Sequence, residues 1–185
     1  LDADIYGPSQ PRMMGVSERP RSPDGKRIIP LHAHGVTMMS IGLMVDPNKA
    51  VVWRGPMLMG ALQQMLSQVE WGDLDALIVD LPPGTGDVQL TLCQKAELSG
   101  AIIVSTPQDV ALLDARKAID MFKMKQINVP IIGLIENMSW CLIENNKHYI
   151  FGRDGGKNLS ASEDIVLLAE IPLSQSIREA ADIGR

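Results

Sequence analysis

From residue 75 onward, short apolar runs alternate with longer stretches of helical periodicity. DALIVD (75–80) is an apolar run ending on a carboxylate, and GAIIVST (100–106), VPIIGLIEN (129–137) and IVLLAEIP (165–172) are three more. Between them lie DVQLTLCQKAEL (87–98) and DVALLDARKAIDMF (109–122). In the second, Leu112, Ala115, Ile119 and Phe122 recur at helical spacing, and Asp87 and Asp109 stand where N-caps are expected. SQSIREAAD (174–182) closes the chain as a helix. Upstream, PMLMGALQQMLSQV (56–69) reads as a helix with Pro56 in its first turn and Leu58, Leu62, Met65 and Val69 on one face. The Pro-, Arg- and Ser-rich stretch between Gly15 and Pro30 reads as a surface loop, and residues 26–45 as a hairpin with His32 and His34 on one face. Strands of four to seven residues alternating with helices of ten or more imply crossover connections, and runs apolar on both faces imply a covered parallel sheet. The predicted class is α/β, a doubly wound, mostly parallel sheet with helices on both faces.

Composition narrows this picture. With 185 residues and a hydrophobic fraction of 45%, the chain suits one substantial core. No stretch approaches the roughly 20 apolar residues of a membrane span. Seventeen basic against 22 acidic residues give a net charge of -5, and no basic run forms a footprint for nucleic acid. Two cysteines, Cys93 and Cys141, are too few for a disulfide framework. A reducing compartment is therefore expected, the cytoplasm first, with the mitochondrial matrix also compatible. Leu1 is not a methionine, and LDAD (1–4) reads as the end of a buried strand, so the chain is expected to continue upstream.

Ligands of open parallel sheets bind outside the carboxyl ends of the strands. Asp2 and Asp4 follow the opening run, Asp80 ends the next, TPQ (106–108) follows the third and Asn137 the fourth. After Asp80 comes PPGTGD (82–87), two prolines and two glycines before another carboxylate. A carboxylate at a strand end suits hydrated Mg²⁺, which keeps several waters and bridges phosphate oxygens. Gly84 and Gly86 let backbone N–H groups approach a phosphate, and the prolines stiffen the approach. Such a constellation suits phosphoryl transfer, where the protein supplies mainly positioning and charge. An ordinary tight turn is the competing reading of PPGTG, and solvated loop residues that of Asp2 and Asp4.

LDADIYGPSQPRMMG, VVWRGPM, DLPPGTGDVQLTL, STPQDVALLDARKAIDMF, ENMSW, IFG followed by GG, and IPLSQSIREAADIG occur in this order along the whole chain. In wording and order they resemble the Mrp/NBP-type ATPases, a MinD-like branch of the P-loop NTPases whose members carry iron–sulfur clusters. The resemblance implies a single MinD-like ATPase domain over residues 1–185, lacking the N-terminal βα unit that bears the Walker A loop. It implies that Asp4 and Asp2 are switch I aspartates positioning the hydrolytic water and Mg²⁺. It likewise makes Asp80 the Walker B aspartate, and residues 84–87, after Pro83, a switch II whose glycine amides sense the terminal phosphate. Asn137 would read the adenine edge, with the backbone around Pro172 beside the base. ATP, Mg²⁺, a homodimer, a [4Fe–4S] cluster bridging it and apo iron–sulfur clients are the implied cofactors and partners. Without the upstream loop, the chain alone is expected to be inactive.

Family members usually carry Cys-x-x-Cys between ENMS and IFG. Here the segment reads ENMSWCLIENNKHYIFG (136–152), with Cys141 alone, Glu144 three residues on and His148 nearby. Cys141 is thus the candidate cluster ligand, and it reads equally as a small hydrophobe. Two thiolates per dimer fall short of the four that a [4Fe–4S] cluster takes, so less than a full cluster per dimer is expected. Cys93 reads as core. Two other readings stand beside a cluster carrier: a MinD- or ParA-like positioning ATPase, and a scaffold without catalysis or cluster.

Overall fold

The computed structural model describes residues 1–4, 7–44 and 55–185. Ile5, Tyr6, the Val45 end of the expected hairpin and residues 51–54 of the VVWRGPM motif lie outside the described residues. The chain divides into two compact units. The first comprises Leu1–Pro83, Asp87–Gln89 and Arg178–Arg185; the second comprises Gly84–Gly86 and Leu90–Ile177.

In the first unit, the opening residues run parallel to two neighbours. Asp2 N donates to Met39 O at 2.9 Å and Ala3 N to Asp80 O at 2.8 Å, while Asp80 N donates to Leu1 O at 2.8 Å. Asp2 bridges Ser40 on one side and Asp80 on the other. The expected strand at 75–80 is therefore reduced to a single bridge at Asp80. Its described pairing is with Leu1–Ala3 alone, too short to propagate a ladder, and Ile78 is 80% exposed. A short helix α1 (Gln10–Met13) follows the opening segment, then the hairpin β1 (Leu31–Ala33) and β2 (Val36–Met38). Helix α2 (Gly55–Ser67) buries Leu58, Leu62 and Met65, and Val69 beyond its end is also buried, as the periodicity predicts. The expected sharing of a face by His32 and His34 fails: His32 stays in β1, but His34 enters the turn with φ 51° and its Nε2 lies 3.0 Å from Gly184 O.

The second unit holds α3 (Asp87–Lys95) from Leu90 onward, β3 (Ala101–Ser105), α4 (Asp109–Lys123), β4 (Ile131–Glu136), β5 (Cys141–Ile143), β6 (Asn146–His148), α5 (Gly155–Glu163) and β7 (Leu167–Glu170). Helix α6 (Gln175–Asp182) starts in this unit. Strands β3, β4 and β7 pair in parallel in that order, joined through α4 and α5, the crossover pattern expected of an α/β chain. Ile103 and Leu134 point into a core with Ala115, Ile119, Phe122 and Leu159. Each fully buried aliphatic side chain there contributes about 1.5–3 kcal/mol. Alternation sends Ile102, Val104, Ile132 and Leu168 to the opposite, exposed face. Both expected carboxylate caps sit one residue inside their helices. Gly86 caps α3 and Gln108 caps α4, so Asp87 and Asp109 act in the first turn, where a negative charge faces the positive end of the helix dipole.

Candidate nucleotide site

Three sequence-selected carboxylates meet at one end of the first unit. Asp2 is buried, 2% exposed, between parallel neighbours. Its Oδ2 accepts from Ser40 Oγ at 2.8 Å and its Oδ1 from Asp4 N at 3.1 Å. Burial pushes its pKa above the ordinary 3.8, these donors offset part of the rise, and the negative charge of Asp80 adds to it. Asp80 is exposed, and its Oδ2 accepts from Gln10 Nε2 at 2.6 Å. Asp4 holds the next turn, its Oδ1 accepting from Gly7 N at 3.2 Å. A buried and an exposed carboxylate thus stand on paired segments, with hard oxygen donors suited to a Mg²⁺ ion that keeps much of its water. The donor set fits the ion the resemblance implies, which Asp80 would hold through water with Asp2 beside it.

The turn after Asp80 is held by a residue the sequence did not single out. Gln89, buried, donates from Nε2 to Pro82 O at 2.7 Å and to Pro83 O at 3.3 Å. Gly84 adopts φ 98°, a conformation that favours glycine, while Pro83, Gly84 and Gly86 stay exposed. Gly86 caps α3 without a side-chain bond.

In the second unit, Asn137 leaves the end of β4 and donates its N–H to Ser105 O at 2.7 Å. The segment after it runs beside residues 171–173: Ser139 N donates to Ile171 O at 2.9 Å and Leu173 N to Trp140 O at 2.7 Å. Asn137 and Pro172 are thereby brought to the same edge. Asn137 Oδ1 accepts from Met138 N at 2.9 Å, which uses one of its lone pairs and leaves its amide N–H groups as the readier hydrogen-bonding end.

A family model described as NUBPL iron-transfer P-loop NTPase, in the ParA group, matches residues 1–185. The chain belongs to this family. It is 50% identical over 189 residues to an iron-sulfur cluster carrier protein of Pseudomonas fragi, covering 100% of the chain and 65% of that protein. It is 50% identical over 186 residues to an Arabidopsis thaliana protein named iron-sulfur protein required for NADH dehydrogenase, mitochondrial, covering 59% of it. The chain therefore spans about three-fifths of the length of these relatives. A nucleotide-binding protein of Archaeoglobus fulgidus, solved in complex with ADP, superposes with a TM-score of 0.83 at 34% identity over 100% of the chain and 72% of that protein.

The iron-transfer family name directs attention to Cys141, half-buried at the start of β5. Its cross-strand partner is His148. Glu144, the position where relatives are expected to repeat the cysteine, lies instead in the hairpin turn with φ 50°, followed by Asn145 at 64°. Three residues along an extended strand separate the two positions by about 10 Å. His148, not Glu144, is the side chain the fold sets beside the thiol. Among the described residues no group of three His, Cys, Asp or Glu side chains is placed to hold a metal. Cys93 is half-buried in α3 against the core, where burial pushes its thiol pKa up, consistent with packing.

Proposed function

We propose that this protein is a Mg²⁺-dependent ATPase that carries iron–sulfur clusters to apo-proteins, with residues 1–185 forming most of one MinD-like domain. The observation that carries the reading is the pairing of Asp2 with Asp80 at one end of parallel segments, Asp2 buried and Asp80 open to solvent. The family match over the whole chain and the ADP complex of the Archaeoglobus relative support it. Mg²⁺, when bound, would neutralise charge on the phosphates. Asp80 offers its carboxylate to water of the ion, and Gln10 orients that carboxylate. Asp2, fixed by Ser40 and the Asp4 amide, and Asp4 itself orient the attacking water. The exposed backbone of Gly84 and Gly86 receives the terminal phosphate, while Asn137 and the Pro172 segment receive the adenine.

The cluster is cargo, and the protein is proposed to hold it as a homodimer. With His148 beside Cys141, each subunit offers one thiolate and one imidazole, so the ATPase is proposed to retain less than a full [4Fe–4S] cluster per dimer. Names of relatives in a bacterium and in a mitochondrion support the cytoplasm or the matrix as its compartment. No helix among the described residues is long and apolar enough to cross a membrane. Anaerobic reconstitution of the full-length protein, read by iron and acid-labile sulfide, tests the cargo reading. Substoichiometric iron that falls further on Cys141→Ser supports it, and iron unaffected by Cys141→Ser contradicts a role for this thiol.

A further inference from the structure

Glu136 is the last residue of β4, is 1% exposed, and stands next to Asn137. Glutamate is almost never fully buried unless it is paired, yet among the described residues no ion pair involves it. Its two oxygens are met by neutral donors: Ser139 Oγ donates to Oε1 and Gly156 N to Oε2. Ser139 is itself fully buried, and a Cβ on Gly156 would stand 2.8 Å from Glu136 Oε2. The carboxylate therefore closes the 136–139 turn on itself and fastens it to the first residues of α5. The cap residue of that helix, Asp154, is left-handed and makes no side-chain cap bond, so Glu136 supplies a helix-start acceptor that the local sequence does not.

The turn it closes is conformationally demanding. Met138 adopts φ 53°, a left-handed value that bulky residues rarely hold without support. Ile171 N donates to Glu136 O at 2.8 Å, so the segment carrying Pro172 is registered on the same residue. A satisfied buried polar network of this kind fixes one geometry more sharply than apolar packing does. We propose that Glu136 is a positioning residue for base recognition: its buried carboxylate, through Ser139 and Gly156, holds the left-handed turn that presents the Asn137 amide beside Pro172. This rests on the reading of Asn137 as the residue that meets the base.

The test compares a ligand with a base to one without. Dissociation constants for ATP and for inorganic tripolyphosphate are measured by calorimetry on the full-length protein and its Glu136→Ala, Glu136→Gln, Ser139→Ala and Asn137→Ala variants. Glutamine can accept from Gly156 N and donate to Ser139 Oγ, so Glu136→Gln is expected to keep most of the ATP affinity. Glu136→Ala and the milder Ser139→Ala, which leaves the backbone fastening in place, are expected to weaken ATP by roughly tenfold and roughly threefold, the cost of one or two lost hydrogen bonds. Tripolyphosphate binding should stay unchanged in all four variants. Equal weakening of ATP and tripolyphosphate, or no weakening of ATP in Glu136→Ala and Ser139→Ala while Asn137→Ala weakens it, overturns the positioning role alone. Unchanged ATP binding in Asn137→Ala overturns the base reading and the positioning role with it.

Discussion

Two apolar runs of similar length meet different fates in this chain. Ala101–Ser105 pairs in parallel with β4 along its length and places Ile103 in a core. Residues 75–80 carry as many aliphatic side chains, yet retain one bridge, with Ile78 almost fully exposed. A β-rich composition is thus a request for a partner, and the partner decides whether a strand forms. The residues selected from the sequence divide along the same line. Asn137 follows a well-paired strand, whereas Asp2 and Asp80 sit on short parallel segments held by a few long-range bonds.

The largest test of that contrast is truncation of an aliphatic residue in each run. Ile103→Ala, in the core of the second unit, should cost about 2–5 kcal/mol in chemical denaturation. Ile78→Ala, exposed in the first, should change stability by less than about 0.5 kcal/mol. Equal effects would show that residue 78 is packed in solution and would erase the distinction.

A middle-sized effect is expected at the turn after Asp80. A Cβ at Gly84 meets nothing within 4 Å, so Gly84→Ala acts through its φ of 98° alone. The expected cost is about 1–2 kcal/mol, with nucleotide-free secondary structure by circular dichroism retained. A neutral substitution would mean that the turn readily adopts another conformation.

The smallest effect concerns pH. Asp2 binds its proton more tightly folded than unfolded, chiefly because it is buried, so stability falls as pH rises from 3.8 through its raised folded value. Asp2→Asn removes that titration, and Ser40 Oγ can turn to accept from the new amide. Thermal midpoints of the variant should fall less than those of wild type as pH rises across this window. An identical profile would mean that Asp2 titrates as an ordinary carboxylate.

Much of the second unit was legible in the sequence because its signals are local. The spacing of Ala115, Ile119 and Phe122 and the runs at 101–105, 131–136 and 167–170 each carry their own periodicity. Asp2, Asp4 and Asp80 were legible as strand-end acids, and their meeting follows from parallel pairing. The supporting residues were not legible. Gln10 reaches Asp80 across 70 positions, and Glu136 meets Gly156 across 20, distances over which no local pattern operates. The caps slipped by one residue because aspartate is favourable both at the cap and in the first turn. His34 left its expected strand because the hairpin turn needed a residue at positive φ.

The central claim is that Asp80 links the carboxylate pair to a Mg²⁺-bound nucleotide. ATP affinity of the full-length protein, measured with and without Mg²⁺ for wild type and Asp80→Asn, tests it most directly. The account predicts that Mg²⁺ strengthens binding to wild type by about tenfold or more, and that Asp80→Asn loses this gain while keeping its Mg²⁺-free affinity. An undiminished response to Mg²⁺ in Asp80→Asn would contradict it.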